Sequence, residues 1–342
     1  MKAIVYKEHG GTEVLHYTDA PDPQIGANEV LVRVRACALN HLDLWIRGGI
    51  PGIKYPFPHI PGSDIAGEIA KLGENVKHLK VGDKVMLQPG VSCGHCEQCL
   101  AGLDNFCKQY TLFGAMVDGG CAEYVKSPVA NIIAMPANLS FEEAASIPLV
   151  FLTAWHMLFT RAQMKPGETV LVLGAGSGVG SAAIQIAKVT GARVIATAGS
   201  EAKLAKAKEL GADEVIDHSK QEISREVKRI TNRRGVDIVF EHVGQATWEQ
   251  SLMSLTVGGR LVTCGATTGW DARLDLRHVF SKHYTILGSY MGCKAELFPV
   301  IDLVSRGRLK PVIDRVFPLA QCAEAHTRLE NREQFGKIVL KV

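Results

Sequence analysis

The run Val170-Leu171-Val172-Leu173, followed by Gly174-Ala175-Gly176-Ser177-Gly178-Val179-Gly180, constrains this chain of 342 residues more than any other stretch. Consecutive apolar residues suit a strand buried on both faces, as in a parallel sheet. The glycine-rich turn leads into a small-residue stretch, Ser181 to Lys188, and the apolar positions 179, 183, 184 and 187 fit a helix. Such a strand–turn–helix cradles phosphate. Small residues let the backbone approach a pyrophosphate, and the helix N-terminus presents free N–H groups and partial positive charge. Gly176, Ser177, Gly178, Val179 and Gly180 are therefore the expected cofactor contacts of this turn. The fit to G-x-G-x-x-G is incomplete, because in the register ending at Gly180 the other glycine places hold Ala175 and Ser177. The next strand, Arg193 to Ala198, completes a βαβ unit and points to a dinucleotide.

From about residue 150 strands and helices alternate, with strands expected at 169–173, 193–198, 214–217, 236–240, 259–264 and 284–288. That rhythm predicts an α/β domain, a doubly wound parallel sheet over 151–289. Residues 1–150 read differently, as short β segments punctuated by glycine and proline: 2–6, 29–38, 65–72, 83–88 and 120–125. After 290 come a helix (294–305), a strand (311–317), a helix (320–330) and a closing strand (337–342). With the parallel sheet already complete, 290–342 is expected to join 1–150 in a β-rich second domain. A substrate is then expected between the domains.

At 46% hydrophobic and 21% charged the composition is that of an ordinary globular protein, and the formal net charge is only +3. No basic stripe suggests nucleic acid, and no apolar run is long enough for a membrane span or signal peptide. The cytoplasm is the expected compartment, and neither nucleic acid nor membrane an expected partner.

Cys93-Gly94-His95-Cys96-Glu97-Gln98-Cys99, with Cys107 beyond, is the strongest local signal. Four thiols at this spacing suit a closed tetrahedral zinc site, which would hold a loop rather than do chemistry. A disulfide pair or an iron–sulfur cluster are the competing readings. The remaining cysteines (37, 121, 264, 293 and 322) are scattered and read as small core hydrophobes.

Cofactor choice is read where the second strand of the βαβ unit ends. A carboxylate there would bind the ribose 2′-OH of NAD, but Val194-Ile195-Ala196-Thr197-Ala198 ends in alanine. Ser200, at a helix start, and Lys203, one turn in, can accept a 2′-phosphate through a hydroxyl, free N–H groups and a cation. NADPH is thus favoured over NADH. In the opposing reading Ser200 only caps the helix and Glu201 reads a 2′-OH.

Taken together, the β-rich first domain, the four-cysteine lobe (90–110) and the Gly174–Gly180 turn resemble the medium-chain dehydrogenase/reductase superfamily over essentially the whole chain. The resemblance implies a GroES-like catalytic domain and a Rossmann cofactor domain. Zinc alcohol dehydrogenases of this superfamily carry a catalytic zinc held by Cys, His and Cys, whereas its quinone oxidoreductases and enone reductases lack it. The matching positions here are Asn40 in Asn40-His41-Leu42-Asp43, Ser63 in Gly62-Ser63-Asp64, and Leu149. An amide, a hydroxyl and an alkyl group do not hold Zn²⁺ tightly. A rearranged centre built from His41, Asp43, His59 and Asp64 is the dissenting option. The resemblance also implies cofactor contacts at Thr153, Val243, Gly244, Cys264, Gly265, Leu287 and Ser289, with Lys337 reaching the phosphates. It further implies a homodimer or homotetramer paired through an edge strand near 285–288.

Without a metal, hydride delivery to an enone or quinone leaves an oxyanion that hydrogen-bond donors must stabilise. Asn40 and Ser63 are the candidate donors and His41 the candidate acid. Trp45 is a candidate pocket wall. The expected function is therefore NADPH-dependent reduction of quinones or α,β-unsaturated carbonyls, with one structural zinc at Cys93, Cys96, Cys99 and Cys107. An alcohol dehydrogenase with an unusual metal site is the alternative.

Overall fold

In the stretch Glu29–Ala38, buried Val30, Val32 and Val34 alternate with half-buried Glu29, Leu31 and Arg35 and exposed Arg33, and the chain responds as alternation dictates, with a strand whose first part is wet on one face. The computed structural model describes every residue from Met1 to Val342. It has two compact units, Met1–Leu149 with Cys293–Val342, and Val150–Gly292. No helix is long and apolar enough to cross a membrane.

The first unit runs through β1 (Lys2–Val5), β2 (His16–Asp19), β3 (Glu29–Ala38), α1 (His41–Gly48), β4 (Asp64–Leu72) and β5 (Lys84–Leu87). The cysteine lobe follows with β6 (Gly90–Val91), α2 (Glu97–Leu100) and β7 (Thr111–Leu112). Then come β8 (Tyr124–Pro128), β9 (Ile132–Ala134), α3 (Phe141–Ala145) and α4 (Pro148–Trp155), whose later residues belong to the second unit.

The second unit contains β10 (Thr169–Val172), α5 (Gly178–Val189), β11 (Arg193–Ala198), α6 (Glu201–Glu209), β12 (Glu214–Asp217) and α7 (Ile223–Ile230). It continues with β13 (Val236–Glu241), α8 (Trp248–Ser254), β14 (Leu255–Thr263), α9 (Leu276–Ser281) and β15 (Thr285–Gly288). The chain finishes in the first unit with α10 (Leu297–Ser305), β16 (Ile313–Pro318), α11 (Cys322–Glu330) and β17 (Lys337–Lys341).

In the first unit β17 pairs antiparallel with β3, Val339 opposite Ala38, so the C-terminal segment extends the N-terminal sheet. The sheet order is β16-β17-β3-β4-β5-β9, with β8 also on β3. Its core packs Val32, Ile65, Ile69, Phe113 and Leu340, together with the thiols Cys37, Cys121 and Cys322. One expected strand starts late. Residues 120–123 do not join it, because the N–H groups of Gly119, Gly120 and Cys121 donate to Ile60, Gly62 and Pro61 instead. This holds the chain against the 60–62 loop, and the strand begins at Tyr124.

The second unit has a six-stranded sheet in the order β12-β11-β10-β13-β14-β15, parallel at every pairing. It is doubly wound, as the strand–helix rhythm predicts. All four residues of β10 are buried, each Val or Leu stabilising by about 1.5–3 kcal/mol relative to exposure. Because every strand runs the same way, the C-terminal ends form one edge, which is where open α/β sheets bind ligands.

Candidate functional site

At that edge Gly174 follows β10, Ser200 follows β11, Val243 and Gly244 follow β13, Cys264 and Gly265 follow β14, Leu287 lies in β15 and Ser289 just beyond. The turn after β10 needs its glycines for different reasons. Gly174 has φ +57°, a left-handed conformation, and a Cβ there would stand 3.0 Å from His242 Cε1. A Cβ on Gly180 would stand only 2.4 Å from the Gly174 carbonyl oxygen, so Gly180 permits helix α5 to pack on its own turn. Ser177 is the N-cap of α5, its Oγ accepting from the Gly180 N–H at 2.9 Å, and Gly178 and Val179 open the helix. Gly180→Ala is expected to push α5 off the turn, destabilising the protein by about 1–3 kcal/mol. It should also weaken dinucleotide binding at least about tenfold. Thermal melting and calorimetric titration with NADPH check both.

Two residues that the sequence reading missed brace this edge. His242 places Nε2 2.9 Å from the Leu173 carbonyl and 3.3 Å from Ser177 Oγ, linking the end of β13 to the glycine turn. Glu241, fully buried, accepts from the N–H groups of Val243 (3.2 Å) and Gly244 (2.9 Å) and from Thr247 Oγ1 (2.6 Å). Burial pushes its carboxyl up while these bonds pull it back. A polar residue directly after an apolar parallel strand was the available signal.

The Oγ of Ser289 is buried and has no hydrogen-bond partner. A hydroxyl in that state at the ligand-binding edge of a parallel sheet fits a dinucleotide that would bond it. Thr153, on α4, is buried and donates to Met291 Sδ at 3.7 Å. Lys203 is half-buried in the first turn of α6.

In the first unit Asp64 is the junction. Its Oδ2 accepts from Lys337 Nζ at 2.8 Å and from Asn40 Nδ2 at 2.9 Å, and its Oδ1 accepts from the Leu149 N–H at 2.8 Å. Lys337 Nζ also donates to Asn40 Oδ1 at 2.5 Å. The fold thus gathers Asn40, Leu149 and the Ser63-Asp64 pair, the positions matched to zinc ligands in the resemblance. What it gathers does not fit a metal. The donor set is an amide, a hydroxyl and an alkyl group, and a lysine ammonium is bonded to the carboxylate.

Three expectations are corrected here. Ser63 is fully buried and its hydroxyl donates to the Phe113 carbonyl at 2.7 Å, so its proton is not available to a substrate oxygen. The Asn40 amide donates to Asp64, and more distantly to the Ala38 carbonyl at 3.4 Å, so it too is committed within the protein. Lys337 is turned inward, its side chain only 3% exposed, and does not reach out for phosphates. In each case the cost of burying an unpaired polar group selects an internal partner.

His41, at the start of α1, differs. It is half-buried, its ring edge-on to Trp45 at 5.1 Å, and it forms no hydrogen bond. Burial, and next the nearby charge of Arg332, lower its pKa, so near neutral pH it is an uncharged imidazole with one N–H to give. The rearranged metal centre is not assembled. The one group of three or more Cys, His, Asp or Glu residues with ligand atoms within 4.8 Å is Cys93, Cys96, Cys99 and Cys107.

In that lobe Cys93 Sγ lies 3.9 Å from Cys99 and 3.6 Å from Cys107, and Cys96 lies 3.5 Å from Cys99. Four sulfurs about 2.3 Å from a tetrahedral zinc are roughly 3.8 Å apart, so the cage fits that ion. A disulfide needs about 2.05 Å, and all the cysteines are free. His95 is exposed and bonds the Cys93 carbonyl rather than facing the thiols.

Comparison with known proteins agrees with this layout. The alcohol dehydrogenase GroES-like domain family matches residues 26–137, and the zinc-binding dehydrogenase family matches 178–306. A solved structure described as an NAD-dependent alcohol dehydrogenase is 49% identical with a TM-score of 0.97, the match covering all of both chains. An NAD-dependent alcohol dehydrogenase of Sulfolobus acidocaldarius is 34% identical, again over the full length of both. An acryloyl-coenzyme A reductase of Sulfurisphaera tokodaii is likewise 34% identical over the full length of both.

Proposed function

Because the chain belongs to the zinc-type alcohol dehydrogenase-like medium-chain dehydrogenase/reductase superfamily, and is an NAD(P)-dependent oxidoreductase, we propose that it reduces activated carbon–carbon double bonds with NADPH. Its substrates in this reading are α,β-unsaturated carbonyl compounds or quinones, reduced without a catalytic metal. One observation carries the reading: Lys337, Asp64 and Asn40 form a closed, buried network where the resemblance expects zinc ligands. The similarity to an acryloyl-coenzyme A reductase, whose named substrate is an unsaturated acyl group, supports it.

The nicotinamide, when bound, supplies a hydride to the β-carbon. The chain's part is to hold the dinucleotide at the β10–α5 turn and along the strand ends, and to manage the resulting enolate. With Asn40 and Ser63 committed to internal partners, the neutral His41 N–H is the hydrogen-bond donor to the enolate oxygen in this reading, and water supplies the proton. The four thiolates hold one structural zinc, which suits a reducing cytoplasm.

The test is spectrophotometric. NADPH consumption with an enone, a quinone or an unsaturated acyl-CoA supports the proposal. NAD⁺ reduction with simple alcohols, and no turnover of those acceptors, contradicts it. That second outcome is the alternative, favoured by the 49% identity to a structure described as an alcohol dehydrogenase.

Strand β15 pairs only with β14 and ends the sheet, so its outer edge is unpaired. We place self-association there, as a dimer through residues 285–288 or a tetramer built from such dimers. Ile286→Lys is expected to halve the mass measured by light scattering.

A further inference from the structure

His218, on the turn after β12, stands beside the end of β11, where the cofactor's adenosine ribose is expected. Its Nδ1 lies 3.2 Å from Thr197 Oγ1, and that same oxygen accepts from the Gly174 N–H at 3.2 Å. Thr197 is buried, and His218 Nδ1 is the acceptor within reach of its hydroxyl proton. The order of donation is then settled by satisfaction of the buried hydroxyl: Gly174 N–H to Thr197 oxygen, Thr197 O–H to Nδ1. An Nδ1 that accepts leaves the ring proton on Nε2.

Nε2 points at the β11 terminus. It would stand 2.9 Å from a Cβ built on Gly199, the nearest atom to that position. The imidazole thus fills space that a larger residue after the strand, such as a carboxylate reading a ribose 2′-OH, would need. Next to it Ser200 begins α6 without using its side chain as a cap, unlike Ser177 on α5, so its hydroxyl is exposed and uncommitted.

Resting on the NADPH reading, we propose that His218 is a specificity-determining residue. It is held by Thr197 as a neutral Nε2–H donor to the 2′-phosphate, alongside Ser200 and Lys203. The charged groups around the ring agree with a neutral imidazole. Burial of its inner edge lowers the pKa most, Asp217 on β12 opposes, and Lys203 on α6 lowers it further. Protonating Nδ1 would also remove the acceptor of a buried hydroxyl. A neutral donor prefers a charged acceptor to a hydroxyl, because bonds to charged groups are roughly twice as strong.

The test is calorimetric titration of the full-length protein with NADPH, NADH and 2′-AMP. His218→Phe, which keeps a ring and removes the donor, is expected to weaken NADPH and 2′-AMP about tenfold or more. NADH should change less than about threefold, and His218→Gln, which restores an N–H, should recover part of the loss. Melting temperatures show whether each variant is folded. Equal weakening of NADPH and NADH, or no change in either, overturns the assignment while leaving NADPH use intact. If the unaltered protein itself binds NADH more tightly than NADPH, the cofactor reading fails and this inference falls with it.

Discussion

Lys337→Met is expected to destabilise the protein by about 3–5 kcal/mol, the cost of leaving one partner of a buried ion pair alone. The side chains of Lys337 and Asp64 are 3% and 0% exposed, so solvent does not screen the loss. Asp64 would keep the Asn40 amide and the Leu149 N–H, neutral donors that do not balance a buried carboxylate. The same network ties β17 to β4 and to the N-cap of α1, so the effect should reach the central sheet of the first unit. Neutralising the other side tests the cause. Lys337→Met combined with Asp64→Asn should recover most of the loss, because a neutral pair needs no ion partner. Urea midpoints of the two single variants and the double variant provide the cycle. A double variant no more stable than Lys337→Met would show that the ion pair is not what holds this junction.

Removing the zinc proposed for the lobe is expected to give the second large effect. Cys99→Ser, or chelation of the unaltered protein, should release the metal and with it most of the lobe's folding free energy. Structural zinc sites supply about 10–16 kcal/mol of apparent binding free energy in small peptides, and the lobe has little apolar core to replace that. Leu100, Leu103 and Phe106 are exposed. The damage should spread, because Asp104 holds the Lys294 N–H at 2.8 Å and its ammonium at 3.2 Å, and Asn105 bonds Cys293. Those residues begin the segment that leads into α10, so a loosened lobe frees the start of the C-terminal extension. Scanning calorimetry should show melting lowered on the order of 10 °C or more, reversed by added Zn²⁺. Unchanged melting after confirmed metal loss would contradict a structural role.

What could be read in the sequence was local. The Gly174–Gly180 turn and its flanking strand are contiguous, and the cysteines lie within fifteen residues, Cys93 to Cys107, so period and spacing were enough. The six strands of the parallel sheet were legible for the same reason, although β14 starts at Leu255 rather than 259. What was not legible depends on distant partners. Lys337 and Asp64 are 273 residues apart, and Ser63 finds the Phe113 carbonyl 50 residues on. Nothing near Lys337 signals that its ammonium is needed inside rather than at a phosphate. His218 and His242 were missed because each matters only once parallel strands align their ends. Collecting the residues that follow each predicted parallel strand would have placed both at the edge with Gly174 and Ser200.

The central claim is that hydride transfer proceeds with no metal at the Asn40, Ser63 and Leu149 positions. The direct measurement is elemental analysis of zinc per chain in protein that is turning over NADPH with an unsaturated carbonyl, before and after brief exposure to a weak chelator. About one zinc per chain is expected, held by Cys93, Cys96, Cys99 and Cys107, with turnover unchanged while that zinc is retained. Close to two per chain, with activity lost as the second is removed, would contradict it and return the protein to alcohol dehydrogenase chemistry at a substituted metal site.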